Sequence, residues 1–327
     1  MQVDRFPSWS RPAVMRRSLG TLVVLGWIAG VSHAAQPESA KPQVPSGAQF
    51  VTIPGDKDGG PPLPAFWFAA SSQAGADVGA GPGKATAARP AVVLLHGCSG
   101  AFYRSGRLNA RFLTMANRLV AQGYGVLVPD SFSPRGHQSI CNIPLKERPI
   151  GMTERVRDAY LALDYLARRK DVQASNIGMI GFSHGAMTVL NSNDSKFPDV
   201  DPGALTSARY NGAVAFYPGC VDVVRRKPAF SARTPLLILI GEKDDWTFPE
   251  HCQRLANRAA QAGQPVSIVT YPSAYHAFDM AEPARLRTDV KRARNPDGVH
   301  VGGDPVARDD AYRRVDAFFR ERFGAKP

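Results

Sequence analysis

Short apolar runs alternate with amphipathic stretches along most of this 327-residue chain, and that alternation limits the folds open to it. Residues 91–95 (AVVLL), 125–128 (GVLV), 176–181 (NIGMIG), 213–217 (AVAFY), 236–240 (LLILI) and 266–271 (VSIVTY) read as strands. The nearly unbroken apolar character of most of them suits strands buried on both faces. Between them, Leu108, Phe112, Leu113, Ala116, Leu119 and Val120 recur at helical spacing, as do Val156, Tyr160, Leu163 and Leu166 within 153–169. Further helices are read after Ser183 (Met187, Val189, Leu190), over 250–262, and over 308–323, where Tyr312, Val315, Phe318 and Phe319 turn inward. Strands alternating with helices require crossover connections, which build a mostly parallel central sheet with helices on both faces. Two earlier runs, 49–53 and 64–70, precede a Gly/Ala-rich stretch at 74–88 and read as an antiparallel edge. The fold class is α/β, with one domain over 47–327.

What precedes that domain reads as a targeting segment. Arg11, Arg16 and Arg17 lead into an apolar run over 19–31, and Ser32-His33-Ala34 offers small residues before a cut after Ala34. A basic stretch, a short apolar stretch and a small-residue cut site make a secretory signal peptide over 1–34. The run falls short of the ~20 apolar residues a membrane span needs, so no span is expected after cleavage. Arg16-Arg17 partly matches a twin-arginine signal. Residues 35–46, rich in Pro, Ser and Ala, read as a linker. The expected location is the periplasm or the medium.

The formal net charge is +12. The basic residues are scattered, with no aromatic-interleaved basic block, so no nucleic-acid partner is expected and a solvated basic surface is. The four cysteines, Cys98, Cys141, Cys220 and Cys252, show no metal-ligand spacing. Their even number in an exported chain suggests disulfides, for which three pairings exist.

The chemistry is concentrated at Gly181-Phe182-Ser183-His184-Gly185, a G-x-S-x-G pattern between an apolar strand and a helix. Glycines flanking the serine allow a turn tight enough to lift Ser183 above the sheet edge at a helix N-terminus. A serine hydroxyl needs a base, and the base an acid to orient it, both following the nucleophile in the chain. Three histidines follow His184. His276 lies just beyond the last strand, whereas His251 falls inside a helix and His300 in a late Gly-rich loop; His276 is the expected base and His300 the reserve. The acid is expected after the strand at 236–240, in Gly241-Glu242-Lys243-Asp244-Asp245-Trp246. Asp244 is preferred, with Asp245 read as a helix cap. The oxyanion donors are expected to be the backbone N–H of His184 and that of Cys98, in His96-Gly97-Cys98-Ser99-Gly100.

Taken together, Leu95-His96-Gly97-Cys98-Ser99-Gly100, the Ser183 elbow, the 241–246 stretch and Tyr275-His276-Ala277-Phe278 resemble the dienelactone hydrolase family of the α/β-hydrolase fold. The resemblance spans about 91–323 and implies hydrolysis of a small-molecule ester or lactone through an acyl-enzyme, without metal or organic cofactor. Two departures stand out. The family's namesake uses a cysteine nucleophile where this chain has Ser183, and Met280 stands where an arginine that grips the substrate carboxylate would be. Arg135 is a candidate to hold an acidic group, or else a surface arginine in a turn; Trp246, Phe132 and Tyr217 are candidates to line an apolar acyl pocket, with core packing the preferred reading for each.

Topology narrows the cysteine pairings. Cys98 and Cys141 follow neighbouring strands, as do Cys220 and Cys252, so the expected disulfides are Cys98–Cys141 and Cys220–Cys252, with four reduced cysteines as the alternative. A non-catalytic binding protein is a second function class, but neither the elbow nor the triad is broken. A peptidase, acyltransferase or polyester depolymerase could use the same residues. The loops at 131–150 and 280–307 are candidate lids.

Overall fold

The computed structural model describes residues 42–57, 59–71, 87–291 and 294–324. The signal-peptide reading and most of the linker lie outside these residues. The last linker residues, 42–46, run beside the 103–107 loop, where the Gln43 N–H donates to the Gly106 carbonyl at 2.8 Å.

The chain begins with β1 (Ala48–Ile53), β2 (Leu63–Phe68), β3 (Arg89–Leu95), α1 (Ala110–Ala121), β4 (Gly125–Pro129) and α2 (Met152–Ala167). It continues with β5 (Val172–Phe182), α3 (His184–Asn193), β6 (Gly212–Phe216), α4 (Val221–Arg225), β7 (Leu236–Gly241) and α5 (Pro249–Gln261). The last elements are β8 (Val266–Tyr271), β9 (Arg285–Arg287), β10 (Val299–Val301) and α6 (Pro305–Arg322).

Eight strands form the sheet in the order β1-β2-β4-β3-β5-β6-β7-β8. β1, β2 and β4 pair antiparallel in that order, and every pairing from β4 across to β8 is parallel. The central strands β4, β6 and β7 are buried along their whole length, as their unbroken apolar runs require. Edge strand β1 leaves Phe50 46% exposed, a side chain that a central strand would cover.

Helices cover both faces. On β5, Gly178 and Gly181 are three positions apart, an odd offset, so the two face opposite sides of the sheet. A Cβ at Gly178 would meet the Phe319 ring of α6 at 2.2 Å, and one at Gly181 would meet the Gly185 carbonyl of α3 at 2.2 Å. α1 lies with α6, joined through Asp316, which pairs with Arg118 and accepts from Gln122 Nε2 at 2.7 Å.

Several bounds differ from the sequence reading. α6 starts at Pro305 rather than at 308, because Asp304 caps it by accepting from the Val306 and Ala307 N–H groups at 3.1 and 3.0 Å. β5 extends back to Val172, beyond its apolar centre. Within 280–307, β9 and β10 form an antiparallel hairpin. Both expected disulfides are formed, Cys98–Cys141 and Cys220–Cys252. Among the described residues, no helix is long and apolar enough to cross a membrane.

Candidate active site

Sheet register gathers the functional loops. Leu95 of β3 lies beside Gly181 of β5, Phe182 beside Phe216 of β6, and Gly241 of β7 beside Tyr271 of β8. Parallel strands ending at one level place their following loops in one cluster, at the sheet's C-terminal edge.

Ser183 sits in the turn from β5 to α3 with φ 53° and ψ −114°, a conformation uncommon for a residue with a side chain. Two bonds hold it there: its N–H donates to the Phe216 carbonyl, and its carbonyl accepts from Met187, both at 2.9 Å. The turn is close against the neighbouring strand. A Cβ at Gly185 would fall 2.0 Å from the Leu95 carbonyl, so only glycine fits.

Ser183 Oγ lies 2.9 Å from His276 Nε2, and His276 Nδ1 lies 2.8 Å from Asp244 Oδ2. The acid is fixed in turn. Its Oδ1 accepts from the Trp246 and Thr247 N–H groups at 3.0 and 2.9 Å, and its Oδ2 from Thr247 Oγ1 at 2.8 Å. Burial alone would raise the Asp244 pKa, but His276 and the Thr247 hydrogen bonds outweigh it and hold the carboxyl below its usual value. The His276 ring is enclosed by Trp246 and Tyr217, each with its centroid 4.7 Å away. Ala277, next in the chain, has φ 62°.

A cavity of about 340 Å³ opens beside these groups and is lined by Ser183, His276, Cys98, Trp246 and Met280 among others. Its charged lining is mostly basic: Arg111, Arg285, Arg287 and Arg308 against Asp279 and Glu282. Arg111 Nε lies 3.1 Å from Asp279 Oδ2, an approach that pairs the charges without hydrogen-bond alignment, while Tyr217 donates to Asp279 Oδ1 at 2.6 Å.

His184 follows Ser183 directly in the chain, and the loop after β3 that carries Cys98 lies close by: a Cβ at Gly97 would be 3.5 Å from Ser183 Cβ, and Cys98 lines the same cavity as Ser183. The His184 side chain turns away into the core. Burial, then the charges of Arg155 and Arg148, keep its pKa well below the usual value.

Arg135 is a correction. Its Nη1 and Nη2 each lie 2.9 Å from an oxygen of Asp158, and Nη1 donates to the Ser131 carbonyl at 2.7 Å. The guanidinium is turned to a buried carboxylate, and Arg135 does not line the cavity beside Ser183. Asp245 caps no helix: its carboxylate accepts from the His300 N–H at 2.9 Å and lies 2.7 Å from His300 Nδ1. His300, the reserve base, is thereby engaged outside the triad and stacks on Tyr275. Phe132 and Tyr217 are fully buried core.

Sequence reasoning missed Arg155, whose signal was present. With Ala159, Ala162 and Leu166 it follows the apolar face of α2, where a cation has no place unless something buried needs it. The Arg111–Asp279 pair left no such signal, because its members come from distant elements.

Known proteins agree with this architecture. Over 192 residues the chain is 24% identical to a Bradyrhizobium protein named "Probable 2-oxo-3-(5-oxofuran-2-ylidene)propanoate lactonase", covering 58% of this chain and 73% of that one. A thermophilic esterase of Thermogutta terrifontis with bound propionate superposes at TM-score 0.55 and 15% identity, covering 84% of this chain and 94% of the other. A dienelactone hydrolase-like promiscuous phosphotriesterase from metagenomic libraries gives TM-score 0.56 and 19% identity over 84% and 98%. The model of the dienelactone hydrolase family matches residues 78–323, most of the chain. The chain therefore belongs to the dienelactone hydrolase family of ester and lactone hydrolases.

Proposed function

We propose that this protein cleaves a carboxylic ester or lactone through an acyl-enzyme formed on Ser183, with His276 as base and Asp244 as its orienting acid. The observation that carries the reading is the continuous chain of contacts Ser183 Oγ–His276 Nε2 (2.9 Å) and His276 Nδ1–Asp244 Oδ2 (2.8 Å) beside a cavity.

In the first step Ser183 Oγ bonds to the carbonyl carbon while its proton passes to His276 Nε2. Asp244 stabilises the imidazolium so formed. The carbonyl oxygen becomes an oxyanion that accepts from the N–H groups of Cys98 and His184, a contribution usually worth about 10²–10³ in kcat per donor. Collapse breaks the bond to the leaving oxygen, which takes the proton from His276; in a lactone that alcohol stays tethered to the acyl group. Water then attacks the acyl-enzyme, gives a proton to His276, and the acid leaves as that proton returns to Ser183.

Trp246 supports the reading as cavity wall beside the base. The arginine-rich lining favours esters or lactones that carry an acidic group, a role taken by residues other than Arg135. The two disulfides favour an oxidising compartment, in line with export by the segment 1–34.

A fluorophosphonate tests the mechanism. It should attach to Ser183 of the wild-type protein, seen by peptide mass spectrometry, and not to Ser183→Ala. A folded wild-type protein that stays unlabelled and inert toward p-nitrophenyl esters and lactones overturns the reading.

A further inference from the structure

Two side chains at the loop after β3 stand outside the proposed proton transfer. His96 and Arg155 are both completely buried. The Gly97 carbonyl, 2.9 Å from His96 Nδ1, can only accept, so Nδ1 carries the proton. Nε2 is then the acceptor, taking the Ser131 N–H at 3.1 Å and Arg155 Nη1 at 2.9 Å. Nη1 also comes within 3.4 Å of Nδ1, a longer approach that a protonated Nδ1 leaves unused. The same guanidinium donates through Nη2 to the His96 carbonyl at 2.6 Å and through Nε to Thr188 Oγ1 at 3.2 Å. Burial, and after it the Arg155 charge, holds the His96 pKa well below its usual value, so the ring is neutral.

The consequence falls on the next peptide. The Gly97 carbonyl also accepts the Gly100 N–H at 3.2 Å. A trans peptide directs its C=O and N–H to opposite sides, and the Gly97–Cys98 bond is trans. With the carbonyl held on the His96 side, the Cys98 N–H faces away from it. That loop lies against the nucleophile: a Cβ at Gly97 would be 3.5 Å from Ser183 Cβ.

We propose that His96, clamped by Arg155, is a positioning residue for the oxyanion hole: its Nδ1–H fixes the Gly97–Cys98 peptide so that the Cys98 N–H is aimed in advance at the developing oxyanion. The proposal rests on the reading of Cys98 as an oxyanion donor. Ser131 shares the task of setting the tautomer, and Arg155 alone holds the His96 carbonyl as well.

The test begins with the wild-type protein labelled with ¹⁵N-histidine. Its NMR spectrum should show, besides the buried rings of His184 and His276, a third buried ring that is lost in His96→Asn, with Nδ1 protonated and Nε2 bare. A ring at that position protonated on Nε2 overturns the proposal without any appeal to activity. Next, His96→Asn and His96→Gln are compared. The asparagine amide can place an N–H near the Nδ1 position, and the glutamine amide reaches toward Nε2 instead. Per fluorophosphonate-titrated site on p-nitrophenyl acetate, His96→Gln should lower kcat about 10- to 100-fold with KM within about threefold, and His96→Asn should retain most of kcat. Arg155→Met should lower kcat in the wild-type background and less in the His96→Asn background, a coupling that a double-mutant cycle reads. Equal kcat in folded His96→Asn and His96→Gln overturns the proposal, since a purely structural role would move only the unfolding temperature. Failure of wild-type labelling counts against the hydrolase mechanism and leaves the tautomer measurement intact.

Discussion

At the scale of single residues, the Asp244–His276–Ser183 chain makes sharp demands. Ser183→Ala should lower kcat by about 10⁴–10⁶ while leaving the unfolding temperature almost unchanged, as read by steady-state kinetics and thermal melts. Asp244→Asn should cost about 10⁴ in kcat, because the amide can no longer both accept from Nδ1–H and stabilise the imidazolium. Asp244 also bears on stability against pH. Its folded pKa is depressed, so its contribution is complete above the unfolded carboxylate value of about 3.9 and is lost as pH falls through the lower folded value. The gap in unfolding free energy between wild type and Asp244→Asn should therefore shrink on acidification below about pH 4, in denaturant titrations across pH. A constant gap would show that the carboxylate titrates alike in both states.

Elements add what residues cannot do alone. The β9–β10 hairpin is fastened to the loop of Asp244 and Asp245 by His300 and by Asn295, which donates to the Asp245 carbonyl at 2.6 Å, and to the loop of His276 by the Gly302 N–H, which donates to the His276 carbonyl at 3.0 Å. It carries Arg285 and Arg287 to the cavity wall. His300→Ala should make the 285–300 segment cleavable in limited proteolysis at lower protease concentration than wild type, with KM for acidic esters rising more than KM for neutral ones. The disulfides divide in the same way. Each closes a loop, over sequence separations of 43 and 32 residues, and loss of either should cost about 2–4 kcal/mol of stability. Of the two, Cys98–Cys141 is the one that ties down the loop after β3, where the oxyanion donor is proposed. Removing that pair should lower kcat as well as the unfolding temperature, whereas the Cys220→Ala/Cys252→Ala protein should lose stability and keep its kcat.

For the whole molecule, helices on both faces make the core sensitive to single deletions, and Phe319→Ala, where α6 meets β5, should cost about 3–5 kcal/mol in denaturant unfolding. This architecture was legible in the sequence because buried parallel strands write themselves as unbroken apolar runs such as 236–240, and the elbow's glycines are forced by a turn only they fit. The hairpin was not, since three-residue strands such as Arg285–Arg287 are too short to show a period. Nor was the fate of Arg135, whose partner Asp158 comes from a different element and is brought near only by the fold. Cys98 was legible twice, as a loop residue and as half of a disulfide, and its two roles meet in one consequence. A chain with this pair reduced would lack the covalent tie behind the proposed oxyanion donor, so full catalytic competence should come with oxidation after synthesis. Protein made under reducing conditions should gain kcat when air-oxidised, in step with loss of free thiol. The bond would then act as a maturation check, keeping an ester hydrolase quiet until its cysteines have met an oxidant.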